Sequence, residues 1–216
     1  MAHPPRRVIP RPLVEALESV DGWFVIGGHA VRCFVPYRPS RDVDLGVRTR
    51  EQLDIVLGAL REHGTVEVVE TAEGTVHLRF DGLNVSLFVL GELADFVEDR
   101  RLSVRGVLAT KLHAILARGT RRDFFDLYVT LQHHRLGIAE CLAAMRAVYG
   151  TDVNDELVLR ALTYFEDADR EAMLPGEGPD DWDTVIKFFR ERVGNLLVPP
   201  SQSLVIQARQ IDLADE

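Results

Sequence analysis

The chain has 216 residues, 46% hydrophobic and 27% charged, a globular balance that excludes disorder along its whole length. Its net charge of −9 argues against a generic nucleic-acid coat, because phosphate binding needs a basic surface. No apolar run approaches the ~18 residues of a membrane span, and the opening MAHPPRRVIPRP lacks the apolar stretch of a secretory signal. A cytoplasmic protein with no membrane partner is therefore expected.

Residues 12–20 (PLVEALESV) read as a short amphipathic helix opened by Pro12. Residues 23–26 are an apolar run closed by Gly27-Gly28, which predicts a buried strand and a tight turn. A helix over 29–35 is stopped by Pro36 and Pro39, and 43–48 returns to a strand. In 51–63, Leu53, Val56, Leu57 and Leu60 fall at helical spacing, and Gly64 ends the segment. Three strands follow, over 65–69, 75–80 and 83–90. Gly74 and Asp81-Gly82 punctuate them, the second being a hairpin signal.

Beyond about residue 105 strand signals stop. Helices are expected over 107–117, 122–134, 138–149, 156–165 and 182–197. A flexible loop is expected over 175–179, and Asp180 to Asp183 cap and charge the start of the last helix. The fold class is thus α/β over 1–105, followed by an all-helical region over 106–216. Cys33 and Cys141 make no disulfide framework and read as small buried apolar residues.

Charge is unevenly spread. From Arg100 to Arg122 there are seven basic residues and no acid, whereas from Thr151 to Lys187 there are eleven acids and three basic residues. Of 25 basic residues only Lys111 and Lys187 are lysine. Lys111 therefore sits in an arginine-dominated strip as the one compact ammonium rather than a planar fork. Such a strip suits an anionic ligand at a defined place as well as it suits a solvated helix pair.

Two stretches carry chemistry. In the first, Gly27-Gly28 is followed after thirteen residues by Asp42-Val43-Asp44. Carboxylates at i and i+2 of a strand share a face, and they repel unless a cation or proton sits between them. Hard oxygen pairs suit Mg²⁺, which completes its shell with substrate phosphate and water. The glycine turn offers free N–H groups and lets phosphate approach closely. Arg38 and Ser40 flank this cradle; Ser40 can bind phosphate, while Arg38 and Arg41 can equally pair with Asp42 and Asp44.

The second stretch is Lys111 to Asp126. Lys111 and Arg118 lie seven residues apart, on one helical stripe, placed to neutralise phosphate. Asp123 can serve as metal ligand or base. For Asp126 the spacing favours an exposed helix start beside Arg121 and Arg122. His29 reads as a packing residue and His133-His134 as a solvated helix end.

In order along the chain, FVIGGHAV, YRPSRDVDLGV, LATKLHAILARGTRRDFFDLYVTL and YFEDADREAMLPG resemble the AbiEii/AbiGii-type toxin nucleotidyltransferases, a branch of the DNA polymerase β-like nucleotidyltransferase superfamily. The resemblance implies a minimal nucleotidyltransferase mixed β-sheet flanked by helices. It implies that Gly27 and Gly28 hold nucleotide phosphates, that Asp42 and Asp44 bind Mg²⁺ (or Mn²⁺), that Lys111 contacts the nucleotide and that Asp123 belongs to the active site. The implied activity transfers a nucleotidyl group from an NTP to an acceptor, RNA such as tRNA or a protein, under restraint by a cognate antitoxin protein.

One position departs from the superfamily. A third carboxylate is expected on the strand LNVSLFV, and Ser86 stands there. Either Asp123 supplies that charge, one metal suffices, or the chain is a catalytically silent nucleotide-binding or protein-interaction module on the same fold.

Overall fold

A computed structural model describes residues 2–150 and 152–197; the expectation for 198–216 lies outside the described residues. The strands are β1 (Trp23–Val25), β2 (Val43–Val47), β3 (Val66–Ala72), β4 (Thr75–Phe80), β5 (Leu83–Val89), β6 (Val97–Glu98) and β7 (Arg101–Leu102). They form one mixed sheet in the order β3-β4-β5-β2-β1-β7-β6. β2 is central: it runs antiparallel to β1 and parallel to β5. The hairpins β3–β4 and β4–β5 extend the sheet on one side. The Asp81-Gly82 turn takes positive φ at both residues, the conformation that a two-residue hairpin requires.

The pleat divides β2 by parity. Val43, Leu45 and Val47 point to one side, where they pack with Val25, Val85 and Leu87 against α1 (Arg11–Ala16) and α3 (Arg50–His63) through Leu13, Leu53, Val56 and Leu60. Asp42, Asp44 and Gly46 belong to the other side. On that side Phe24 and Ile26 join the core of the helical region, made with α4 (Val104–Ala117), α5 (Arg121–His134), α6 (Ile138–Tyr149) and the helices beyond. Helix starts follow local chemistry: Thr49 accepts from the Gln52 N–H at α3, and Ser103 from the Gly106 N–H at α4.

Several expectations are corrected. The helix after β1 begins at Gly27 itself and is short, α2 (Gly27–Arg32). The helix expected over 156–165 is two, α7 (Asp155–Ala161) and α8 (Glu166–Asp169). Between them Thr163 turns its hydroxyl back onto the carbonyls of Leu159 and Arg160, a local bond that competes with helix continuation. Two strand pieces, β6 and β7, lie in the stretch 97–102 and meet at a turn in which Asp99 and Arg100 have positive φ. The loop 175–179 is anchored: the Glu177 side chain is buried, bonds the Arg121 guanidinium and accepts from the Leu174 N–H. It leads into α9 (Asp181–Leu197), whose Trp182 lies 4.6 Å from the Arg121 guanidinium. Both cysteines are buried.

Candidate functional site

On the face of the sheet turned toward the helical region lies a cavity of about 350 Å³. Gly27, Gly28, Arg38, Ser40, Asp42, Asp44, Lys111 and Arg118 all line it, as do Ser86, His77, Asn84 and Arg122. Local sequence explains each placement. Asp42 and Asp44 share the β2 parity that faces the helices. Lys111 lies within α4 and Arg118 is the residue that caps its C-terminal end, and the glycines sit where β1 hands over to α2. A second cavity of about 370 Å³ shares Gly27, Asp44, Phe88, Lys111 and Arg118 with the first, and adds apolar walls, with His113 and Tyr149 stacked at 5.0 Å.

Gly27 has φ +61, and a Cβ there would strike the Asp44 carboxylate. At Gly28 a Cβ would stand 2.9 Å from Ser40 Oγ and 3.2 Å from the Arg38 guanidinium. The diglycine is thus what lets the α2 backbone close onto the acidic pair. Asp42 accepts from the Asn84 side-chain amide at 3.1 Å. The Asp44 carboxylate receives no hydrogen bond among the described residues, although the Asp44 backbone carbonyl accepts from the Ile26 N–H at 3.0 Å. Burial pushes its carboxyl above the usual range and Asp42 adds to that, while Lys111, Arg122 and Arg118 oppose the rise.

Behind the cavity wall lies a buried ionic network that the sequence did not announce. Asp126, expected at an exposed helix start, is only 1% exposed. It takes a two-pronged contact from Arg38 at 2.9 Å, the Lys111 ammonium at 2.6 Å and the Tyr37 hydroxyl at 2.5 Å. Arg38 is therefore committed to Asp126, not to Asp42 or Asp44. Burial, then Asp126, drive the Tyr37 hydroxyl well above its ordinary pKa.

Asp123 is 0% exposed and does not line the cavity. It accepts from Arg118 at 2.8 and 3.1 Å and from the Thr120 hydroxyl at 2.5 Å, with Lys111 at 3.5 Å. Burial alone would raise its carboxyl. The bonds from Arg118 and Thr120 and the charge of Lys111 outweigh burial and hold it down at about 2. With its oxygens so engaged, Asp123 suits aiming Lys111 and Arg118 better than ligating a metal or taking a proton. His29 is buried with Nδ1 unpartnered, and burial depresses it to about 4; it packs beneath the cradle and does not line it.

Ser86 lies in register beside Asp44 on the parallel β5 strand, where the missing carboxylate would stand. Across the next strand pair it faces His77, whose Nδ1 is 2.8 Å from Ser86 Oγ. Sequence reading overlooked His77, Tyr37 and Asn84, and counted Arg122 only as part of the basic strip. For His77 a signal existed, since Asp81-Gly82 fixes the β4–β5 register and with it the partner of Ser86.

A divalent ion fits the donor set. Asp42 and Asp44 offer hard oxygens on an open cavity, and Asp44 carries negative charge that no protein hydrogen bond satisfies. Among the described residues no group of three or more His, Cys, Asp or Glu side chains converges on one point. An ion held by the aspartate pair would take its remaining ligands from phosphate and water.

Comparison with known proteins bears on these features. Residues 91–201 match the family described as nucleotidyl transferase AbiEii toxin, type IV toxin–antitoxin system. That stretch holds Lys111, Arg118, Asp123 and Asp126, while the diglycine and the aspartate pair precede it. An uncharacterized protein of Aquifex aeolicus (strain VF5) is 25% identical over 198 residues, covering 85% of this chain and 95% of that protein. The structure of JHP933 from Helicobacter pylori superposes with a TM-score of 0.51 at 15% identity, covering 95% of this chain and 94% of that one. The antibiotic-resistance factor ANT(2'')-Ia gives a TM-score of 0.46 at 11% identity, covering 63% of this chain and 87% of that one. No helix among the described residues is long and apolar enough to cross a membrane.

Proposed function

The chain belongs to the nucleotidyl transferase AbiEii toxin family, and from that membership we propose that it transfers a nucleotidyl group from an NTP to an acceptor hydroxyl in the cavity over β2. The observation that carries this reading is the convergence of Gly27, Gly28, Asp42, Asp44, Lys111 and Arg118 on one cavity. The diglycine backbone and Ser40 receive and orient the phosphates. Lys111 and Arg118 offset their charge, and Asp123 and Asp126 fix where Lys111 points. The apolar second cavity takes the nucleobase. Asp42 and Asp44 would hold Mg²⁺ or Mn²⁺, which would supply positive charge to offset what builds on the leaving pyrophosphate. The acceptor is RNA such as tRNA, or a protein, and a cognate antitoxin restrains the activity in the cytoplasm. The core of the enzyme is the α/β region over 1–105, and the helical region completes the cleft.

The test is transfer of label from an α-labelled NTP to total tRNA or to protein of a cell extract. Asp42→Ala and Asp44→Ala abolish transfer while melting within a few degrees of wild type. Wild-type labelling by either variant removes the mechanism. NTP binding in calorimetry without pyrophosphate release from the NTP in the presence of any acceptor favours the silent module instead, the reading that Ser86 suggests.

A further inference from the structure

We propose that His77 is the general base of the transfer, taking the proton of the acceptor hydroxyl at the cavity wall formed by β4 and β5; this rests on the transferase reading above. A charge is missing from this site. Ser86 occupies the place beside Asp44 where a third carboxylate is expected, and a serine hydroxyl does not accept a proton near neutral pH. The register supplies a substitute. Asp44 pairs with Ser86, and Ser86 with His77, so the three side chains stand in one row across β2, β5 and β4 and all three line the cavity. An imidazole nitrogen with a free lone pair can take the proton of a hydroxyl, which is what a general base does.

The ring is held from two sides. Nδ1 is 2.8 Å from Ser86 Oγ, and the ring meets Phe88 edge-on at 5.8 Å and 82°. With Nδ1–H donating to Ser86 Oγ, Nε2 keeps its lone pair, and among the described residues it has no hydrogen-bond partner. Ser86 is then a positioning residue that selects the tautomer, the part a second group plays for a catalytic histidine. Asp123 does not compete for the role, since it is fully buried and its oxygens are taken by Arg118 and Thr120.

The step balances. The acceptor O–H proton passes to His77 Nε2 as the hydroxyl oxygen forms its bond to the α-phosphorus. The bond from that phosphorus to the bridging oxygen breaks, and pyrophosphate leaves with the electron pair. Solvent then takes the proton from the imidazolium.

The experiment compares wild type and His77→Ala for transfer from labelled NTP to total tRNA or extract protein, alongside calorimetric NTP affinity with Mg²⁺. The expected result is a loss of turnover of about 10²-fold or more, unchanged NTP affinity, and partial recovery on adding free imidazole. Undiminished turnover in His77→Ala, or a loss that imidazole does not relieve, overturns the assignment. Independently of activity, nitrogen-15 spectra of the ligand-free protein report the His77 tautomer. A proton on Nδ1 supports the proposal, and a proton on Nε2 alone defeats it. If wild type itself transfers to no acceptor, the transferase reading falls first; if wild type is active and His77→Ala equally so, only the base assignment falls.

Discussion

Gly27 and Asp44 constrain one another, since the positive φ of the first and the carboxylate of the second leave no room for a side chain between them. Gly27→Ala forces either the α2 start or Asp44 to move. Beyond the ~1–2 kcal/mol cost of a left-handed backbone, it is expected to weaken NTP binding in calorimetry. Asp123 gives a pH signature. Its carboxyl is held at about 2 against an ordinary 3.8, so its contribution to stability is complete above pH ~4 and drains away as pH falls through ~2. Denaturant unfolding of Asp123→Asn measured across that range is expected to lack about 2 kcal/mol of the wild-type pH dependence. Gly27, Gly28, Asp42, Asp44, Lys111 and Arg118 were legible because each follows from local spacing: two residues on a strand, seven on a helix, a diglycine at a strand end. Asp126 was not, because its partner Arg38 lies 88 residues away and nothing in the helix-start pattern distinguishes an exposed acid from one buried by a distant guanidinium.

At the scale of elements, α4 and α5 act as a rigid mount. Lys111 and the capping Arg118 come from one, Asp123 and Asp126 from the other, and the loop bearing Tyr37 and Arg38 fastens α5 through Asp126. The loop 175–179 is fastened in the same way. The Arg121–Glu177 pair is nearly buried, and the guanidinium stacks on Trp182. Removing one partner of such a pair costs roughly 3–5 kcal/mol. Glu177→Ala is therefore expected to lower stability on that order and to open the loop to limited proteolysis. Glycine and proline content made this segment look mobile, because composition reports backbone freedom and not a tertiary anchor. β6 and β7 escaped notice for another reason: two residues are too few to show alternation. The longer helices were legible to within a few residues because their apolar spacing repeats over several turns.

For the whole molecule, the two cores do not follow the division of the chain. Phe24, Ile26, Ala30 and Val31, from the α/β part, pack in the cluster of the helical part. The two tryptophans sit one in each cluster, Trp23 under the sheet and Trp182 among the helices. Single-tryptophan variants, Trp23→Phe and Trp182→Phe, are expected to report coincident fluorescence transitions in denaturant, as a cooperative unit requires. Separate midpoints would show two units folding independently. Sheet order belongs to this scale and was not legible, since β1 pairs with β2 on one side and with β7, some seventy-five residues on, on the other.

The scarcity of lysine has a practical consequence. Lys111 is buried between two aspartates, whereas Lys187 stands on the exposed face of α9 with a weak partner in Glu191. Isotope placed in lysine alone would label just these two side chains. One resonance would then sit in the cavity wall and the other on the surface as an internal reference. Occupancy by a polyanion becomes readable from a single spectroscopic signal in the unaltered protein.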